Sequence, residues 1–478
     1  MQEPARIAID LGAESCRVSL LLWINGEPHI EVVHRIPNGP VHRGRWLFWP
    51  LDALLAGLEE GLRKAAAAAP EGIASIGVDG WSVDYVRLAP DGRPLHEPFC
   101  YRDERTVASK QAADAIVPPM EIFERTGAQP HRLNTVYQLL ADPVASHRDR
   151  IDPHTPWVML PEYILYWLGG RRIAEYTNAS HTGLVNLKTG DWDHELFRLL
   201  DLSIDAAPPI VHAGEILGRV QGPLAALDAY RETQLIAPAT HDTASAIAGI
   251  PVSLISTAYI SSGTWSLVGT LTSVPVTTAE SFDARYTNLG AATGGLCFHT
   301  LVNGMWLIKQ CMDSWSDDGR TWKIEDLVQK AADCKTATGV IDVDAEPLLL
   351  DSNMPERINH ELWRLRMDPI PDLPGNEPVF GRLIFESLAD RYASAIASLE
   401  HMLGRKLERI HILGGASRNK LLTELTEQRT GLPVETGQSE SATIGNLAVQ
   451  LAVGDSNGKP ITPESVRKWA QKLCRSCG

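Results

Sequence analysis

The chain lacks any surplus of positive charge: 44 lysines and arginines face 59 aspartates and glutamates, a formal net charge of −15. Nucleic acid and anionic membrane both demand a concentrated basic surface, so this balance argues against either partner and for a small-molecule substrate. No run approaches the roughly 18 to 20 apolar residues of a membrane span, and the opening MQEPARIAID has neither the basic nor the apolar region of a signal peptide. The expectation is a cytoplasmic protein. Cysteine is sparse, 7 in 478 residues, and the odd, scattered count suits reduced thiols rather than a disulfide framework. The one CxxC, Cys474 with Cys477, has no second pair with which to hold zinc and reads as two incidental thiols. Also missing are the phosphate loop GxxxxGK[ST], a GxGxxG strand-to-helix turn, HExxH and GxSxG. Ser417 and Lys420 form an SxxK without its companion motifs, so acyl transfer has no support either.

What is present is an ordinary globular composition, 44% hydrophobic and 22% charged, over a length that buries a large core and divides into about two or three domains. ARIAIDLGAESCRVSLLLWI reads as two strands around a tight turn of Gly12, Ala13 and Ser15. Leu51, Leu54, Leu55, Leu58 and Leu62 then recur at helical spacing up to Pro70. After residue 250 the opening logic repeats: STAYISSGTWSLVGTL is strand, a tip of Ser261 to Thr264, and strand again. LERIHILGGASRNKLLTELTEQ follows as a strand, a Gly414-Gly415 turn and a helix, and SATIGNLAVQLAVG as a helix of small residues. Two halves with similar element order predict a duplicated α/β unit on each side of a cleft, with the boundary near Gly249 to Pro251. Small residues at both hairpin tips let backbone N–H groups approach an anion such as a phosphate.

Between the halves lies IAPATHDTASAIAG, Ile236 to Gly249, where His241 and Asp242 are the strongly polar side chains at the predicted start of a helix. Asp242 there is open to two readings: a helix cap, or a carboxylate presented to a group that must lose a proton.

The ordered set IDLGAESCRV, HRIPNG, SIGVDGWSVDYVRL, YRDERT, NTVYQL, LPEYILYWLGG, EYTNAS, THDTAS, YISSGTWSLVG, IHILGGASRN and TIGNLAVQL resembles the FGGY carbohydrate kinases over essentially the whole chain. EYTNAS with NTVYQL and THDTAS points to the rhamnulokinase branch of that family. The resemblance implies two ribonuclease H-like domains of the sugar kinase, actin and heat-shock ATPase superfamily flanking a cleft. Residues 1–249 would bind sugar and phosphate, and residues 250–478 the nucleotide. It implies ATP and Mg²⁺, a ketose substrate phosphorylated at its 1-hydroxyl, most closely L-rhamnulose, and a monomer or homodimer without nucleic acid or membrane partners. Another ketose of the L-fuculose, L-ribulose or D-xylulose type, or a non-catalytic nucleotide switch or sugar sensor, are the alternatives.

The resemblance also implies residue roles. Asp242 matches the family's general base and Asp10 its Mg²⁺-holding aspartate. Ala13, Glu14, Ser15, Cys16 and Arg17 match the first phosphate loop, and Thr264 lies in the second. Lys309 stands where a glutamine usually meets the nucleotide, with Gln310 beside it, and Gly415 matches the glycine against adenosine. Ser82, His241 and Thr243 match sugar contacts, and Trp81, Asp84 and Arg102 line the same pocket. Ser82 replaces the glycine of the usual Trp-Gly-Val-Asp, and Leu301 falls where a sugar-binding asparagine is expected, with Asn303 two residues on to compensate.

Overall fold

The computed structural model describes residues 3–145, 151–335, 339–351, 353–438 and 440–476. The chain divides into two compact units that are discontinuous in sequence: residues 1–252, 272–297 and 440–478 form the first, and residues 253–271 and 298–439 the second.

In the first unit, Ala5–Leu11 (β1), Ser15–Ile24 (β2) and Glu27–Pro37 (β3) form an antiparallel meander. The helix Leu51–Ala68 (α1) leads to Ile73–Gly80 (β4), which lies parallel to β1. Ile216–Arg219 (β5) and Gln234–Ile236 (β6) complete a sheet in the order β5-β6-β4-β1-β2-β3. The α1 stripe Leu51, Leu54, Leu58 and Leu62 buries against one face of this sheet, as its spacing predicts. The short helix Asp242–Ala248 (α2) follows β6.

In the second unit, Thr257–Ser262 (β7) pairs antiparallel with Trp265–Thr272 (β8), and Leu296–Asn303 (β9) follows β8 in the sheet. Arg409–Leu413 (β10) lies parallel to β7, and Val434–Thr436 (β11) parallel to β10. The order β9-β8-β7-β10-β11 repeats β3-β2-β1-β4-β6 of the first unit, which is the duplication that the sequence suggests. The helix Trp306–Asp317 (α3) follows β9, and Lys420–Thr430 (α4) follows the Gly414-Gly415 turn.

The chain then returns to the first unit. Ser441–Asp455 (α5) and Pro463–Ser476 (α6) cover the other face of the first sheet, with Ile444, Leu447, Ala448, Leu451, Trp469 and Leu473 packed against Ala8, Leu21 and Trp23. Cys16, Cys100, Cys311 and Cys334 are free thiols; Cys477 lies outside the described residues. Among the described residues no helix is long and apolar enough to cross a membrane.

Candidate active site

The first unit gathers carboxylates at the ends of its central strands. Parallel register sets Asp10 of β1 beside Asp79 of β4, and antiparallel register sets it beside Arg17 of β2. Arg17 Nη1 lies 3.3 Å from Asp10 Oδ2 and also pairs with Glu440, which Arg35 approaches at 3.7 Å. Burial pushes Asp10 up to about 7, opposed by the Arg17 charge and reinforced by the Asp242 charge. Burial together with the Asp10 charge raises Asp79 well above the usual carboxylate range. Asp79 Oδ2 accepts from Asn446 Nδ2 at 2.5 Å, while its buried Oδ1 has no partner. Asn446 and Gln450, one turn apart on α5, reach the sheet as a polar pair: Gln450 Nε2 donates to Ile7 O at 2.9 Å and to Asn446 Oδ1 at 2.7 Å.

Asp242 is the first residue of α2, and the capping position belongs to His241, whose side chain makes no cap bond. The Asp242 carboxylate accepts instead from the adjacent Thr243, N–H at 2.5 Å and Oγ1 at 3.1 Å. It thus takes up the second N–H of the helix, as a capping aspartate can, but from the first helical position rather than from the cap, and only its Oδ1 is engaged. Burial pushes it up to about 6, opposed by the two Thr243 donors. With 36% of the side chain still open, water stabilises the carboxylate, and the group is ionised at neutral pH. His241 is buried, and desolvation pulls its imidazole down to about 3, so its 3.4 Å approach to Asp242 is that of a neutral ring. The His241 ring stands 3.9 Å from that of His181, and His181 Nδ1 meets Ser82 Oγ at 3.2 Å.

At the first hairpin tip, a Cβ on Gly12 would come within 2.5 Å of Ser15 O, so only glycine allows this turn. Ala13 and Ser15 are half-buried, and Glu14 is exposed, where its charge favours the Arg102 cation. Cys16 points into the core with its thiol pushed up to about 12, which leaves it the backbone rather than the side chain to offer a ligand.

Trp81 is buried, 4.4 Å from Trp49, and donates to Asp84 Oδ2 at 3.0 Å. Asp84 is wholly buried and accepts in addition from Trp49 Nε1 at 2.5 Å, Tyr101 N at 3.2 Å and Gln138 Nε2 at 3.1 Å. Its carboxyl is thus taken up inside the protein, and it acts by holding the indoles. Between Ser82 and Asp84, Val83 adopts φ +73, a strained conformation for a β-branched residue, fastened by Thr135 Oγ1 and Gln138 Nε2 on its carbonyl at 2.8 and 3.1 Å. Arg102 is exposed and stands over the Tyr101 ring.

In the second unit, Gly263 and Thr264 form an exposed tip whose carbonyls accept from Met305 N at 3.0 Å and Trp306 N at 3.1 Å at the start of α3. Gly414 has φ +78, and a Cβ there would meet Ser262 O at 2.7 Å; Gly415 is exposed and faces open space. Lys309 is exposed and paired with Asp313 at 2.8 Å, whereas Gln310 is buried, its Nε2 3.3 Å from the same carboxylate. Asn303 is buried: its Nδ2 donates to Val343 O at 3.1 Å, and its Oδ1 has no partner. Leu301 is 51% exposed.

Family models for the FGGY carbohydrate kinases match residues 5–249 with the N-terminal domain and residues 258–453 with the C-terminal domain. The chain belongs to the FGGY family of carbohydrate kinases. As a member of that family it is an ATP-dependent sugar kinase. Curated relatives include the rhamnulokinase of Bacteroides thetaiotaomicron, 34% identical over 94% of this chain and 91% of that protein. The rhamnulokinase of Bacillus subtilis is 32% identical over 93% and 89%. Among solved structures, a gluconate kinase from Lactobacillus acidophilus superposes with a TM-score of 0.76 at 16% identity, over 99% of this chain and 97% of that one. A glycerol kinase from Plasmodium falciparum with ADP gives 0.75 at 16% identity, over 98% and 92%. Both structures share the fold of this chain over nearly its whole length.

Sequence reasoning assigned no role to Asp79, Asn446, Gln450, Glu440 or His181. An asparagine and a glutamine four apart in the otherwise apolar TIGNLAVQL is the signal for the second and third; the others become visible only through contacts.

Proposed function

We propose that this FGGY kinase transfers the γ-phosphoryl group of ATP to the 1-hydroxyl of L-rhamnulose, giving L-rhamnulose 1-phosphate. The observation that carries the proposal is Asp242: ionised and partly open at the first position of α2, with its Oδ1 alone held by Thr243. Phosphoryl transfer has a loose transition state, so the nucleophile needs orientation early and proton removal late, and a carboxylate suffices for both. Asp242 accepts the hydroxyl proton. His241, Thr243, Ser82 and Arg102 contact the sugar, Trp81 walls the pocket, and Asn303 offers it a carbonyl. Backbone N–H groups from Ala13 to Arg17 and at Thr264 receive the phosphates, with Gly415, Lys309 and Gln310 at the nucleotide. In this reading residues 1–249 carry sugar and phosphate binding, and residues 250–478 the nucleotide.

Asp10 suits Mg²⁺: it offers a hard oxygen donor, and this ion readily takes one or two carboxylates and completes its shell with phosphate oxygens and water. Bound there, Mg²⁺ supplies charge neutralisation of the phosphates.

The choice of L-rhamnulose is supported by the names of the curated relatives; Ser82 and the exposed Leu301 favour a second reading in which another ketose is preferred. Two measurements test the proposal. Asp242→Asn is expected to keep the fold and sugar binding and to lower turnover by about 10²-fold or more; near-normal turnover refutes the base assignment. A panel of ketoses is expected to give the highest kcat/KM with L-rhamnulose, and a value about tenfold higher for another ketose overturns the substrate alone.

A further inference from the structure

The turn that presents Asp242 is fastened by two buried glutamates to which the mechanism above gives no role. Thr240, two residues before Asp242, is wholly buried. Its N–H donates to Glu175 Oε2 at 3.0 Å, its hydroxyl donates to Glu162 Oε1 at 2.7 Å, and its carbonyl accepts from Gly80 N at 2.9 Å. The N–H of His241 lies 3.4 Å from Thr177 Oγ1, and that hydroxyl in turn donates to Glu175 Oε2. The two glutamates are tied to each other and to their own loops: Glu175 N–H donates to Glu162 Oε1 at 3.1 Å, Thr177 N–H to Glu175 Oε2 at 3.1 Å, and Asn178 Nδ2 to Glu162 Oε2 at 3.0 Å.

This arrangement is expensive for a simple turn. Glu162 is 0% and Glu175 1% exposed, and Glu175 Oε1 is buried without any partner. Burial pushes both carboxyls up to about 7. A backbone turn is ordinarily satisfied by one hydroxyl or amide side chain, without desolvating two acids. Asp242, by contrast, is bound through its own carboxylate to the neighbouring Thr243. Its aim is therefore set by the backbone at Thr240 and His241, the residues whose N–H groups the cluster holds.

We propose that Glu162 and Glu175, acting through Thr240, form a clamp that positions Asp242 to accept the substrate proton. They are positioning residues, and the proposal rests on the reading of Asp242 as proton acceptor. The clamp fixes the dihedral angles leading into α2 from both sides of Thr240, so loosening it misaligns the carboxylate without removing any ligand contact. A misplacement of about 1 Å at a reacting group costs on the order of 10²-fold in rate.

The test uses the full-length enzyme with ATP and L-rhamnulose varied separately. Thr240→Val keeps the shape and removes the hydroxyl; Thr240→Ser keeps the hydroxyl. The expected result is a kcat about tenfold or more lower for Thr240→Val, with both KM values within about threefold of wild type, and at least about half the wild-type kcat for Thr240→Ser. In an Asp242→Asn background, assayed at high enzyme concentration, Thr240→Val is expected to add less than about a twofold loss, because the residue through which it acts is already gone. A normal kcat for Thr240→Val, or an undiminished additional loss in the Asp242→Asn background, overturns the clamp. Should Thr240→Val fail to fold, Glu175→Gln is measured instead, with the same split between kcat and KM expected and a normal kcat again overturning the proposal. An inactive Asp242→Asn beside a fully active Thr240→Val sinks the clamp alone, whereas an active Asp242→Asn sinks the base assignment and the clamp with it.

Discussion

Helix α2 is held in place by one of the closest backbone approaches in the first unit, and the glycine that permits it makes a sharp prediction. A Cβ added at Gly445 of α5 would stand 1.7 Å from Ser245 O, 2.7 Å from Ser245 C and 2.9 Å from Gly249 N. Ordinary contact begins at 3.4 Å, so Gly445→Ala leaves a shortfall of about 1.7 Å, and every atom in the way is backbone. No rotamer change relieves it; α2 and α5 must part. Overpacking with room to adjust costs about 1–3 kcal/mol, so a rigid clash between two helices should cost at least about 3 kcal/mol. At roughly 2 °C per kcal/mol for a large domain, the melting temperature should fall by about 5 °C or more. Because α2 begins at Asp242, its displacement should also lower turnover by about 10²-fold. Melting followed by circular dichroism, with steady-state assays on the same preparation, reads both effects. Gly39→Ala, where an added Cβ meets nothing within 4 Å, is the control and should change neither. Wild-type melting and turnover for Gly445→Ala would show that the contact between these helices does not fix the Asp242 carboxylate.

Three further outcomes are open to measurement. Asp10, Glu162 and Glu175 are pushed up to about 7, above the roughly 4 of an unfolded carboxyl, so near neutrality the native state binds more protons than the unfolded one. Stability should therefore fall as pH rises from about 6.5 to 8. Below that window the buried, neutral His241, His131 and His411 oppose the trend, because their values are pulled below the ordinary one. Turnover should instead fall as pH drops through about 6, where Asp242 takes up its proton; a melting temperature that rises between pH 6.5 and 8 would contradict the assignment of strained, buried acids. Gly414→Ala places a Cβ 2.7 Å from Ser262 O at a backbone conformation essentially reserved for glycine, φ +78 and ψ −168, and should raise the KM for ATP about tenfold with a smaller change in the sugar KM. Unchanged ATP kinetics would remove the Gly414-Gly415 turn from the nucleotide site.

Much of the fold was legible because its cues are local. The β-branched and leucine runs around Gly12 and around Ser262-Gly263 announce two hairpins, the leucine stripe of α1 announces its buried face, and the same strand order recurs in both units. THDTAS announced a polar pair at a helix start for the same reason: two polar side chains among small residues stand out without reference to any other segment.

What the sequence by itself determined, then, is the two hairpins, helices α1, α4 and α5, the duplicated order and, through its ordered motifs, membership of the FGGY kinases. What only the tertiary structure decided is which side chains are used up and which remain open. Asp84 and Asp242 are both aspartates in conspicuous motifs, yet four donors consume the first while the second keeps 36% of its side chain exposed. Glu162 and Glu175, thirteen residues apart, converge on Thr240, and Asn446 of α5, far along the chain, reaches Asp79. The compact first unit likewise takes in residues 440–478. Local propensity carries no information about such contacts, because their free energy comes from desolvation and hydrogen bonding between segments that become neighbours only after the sheet has formed.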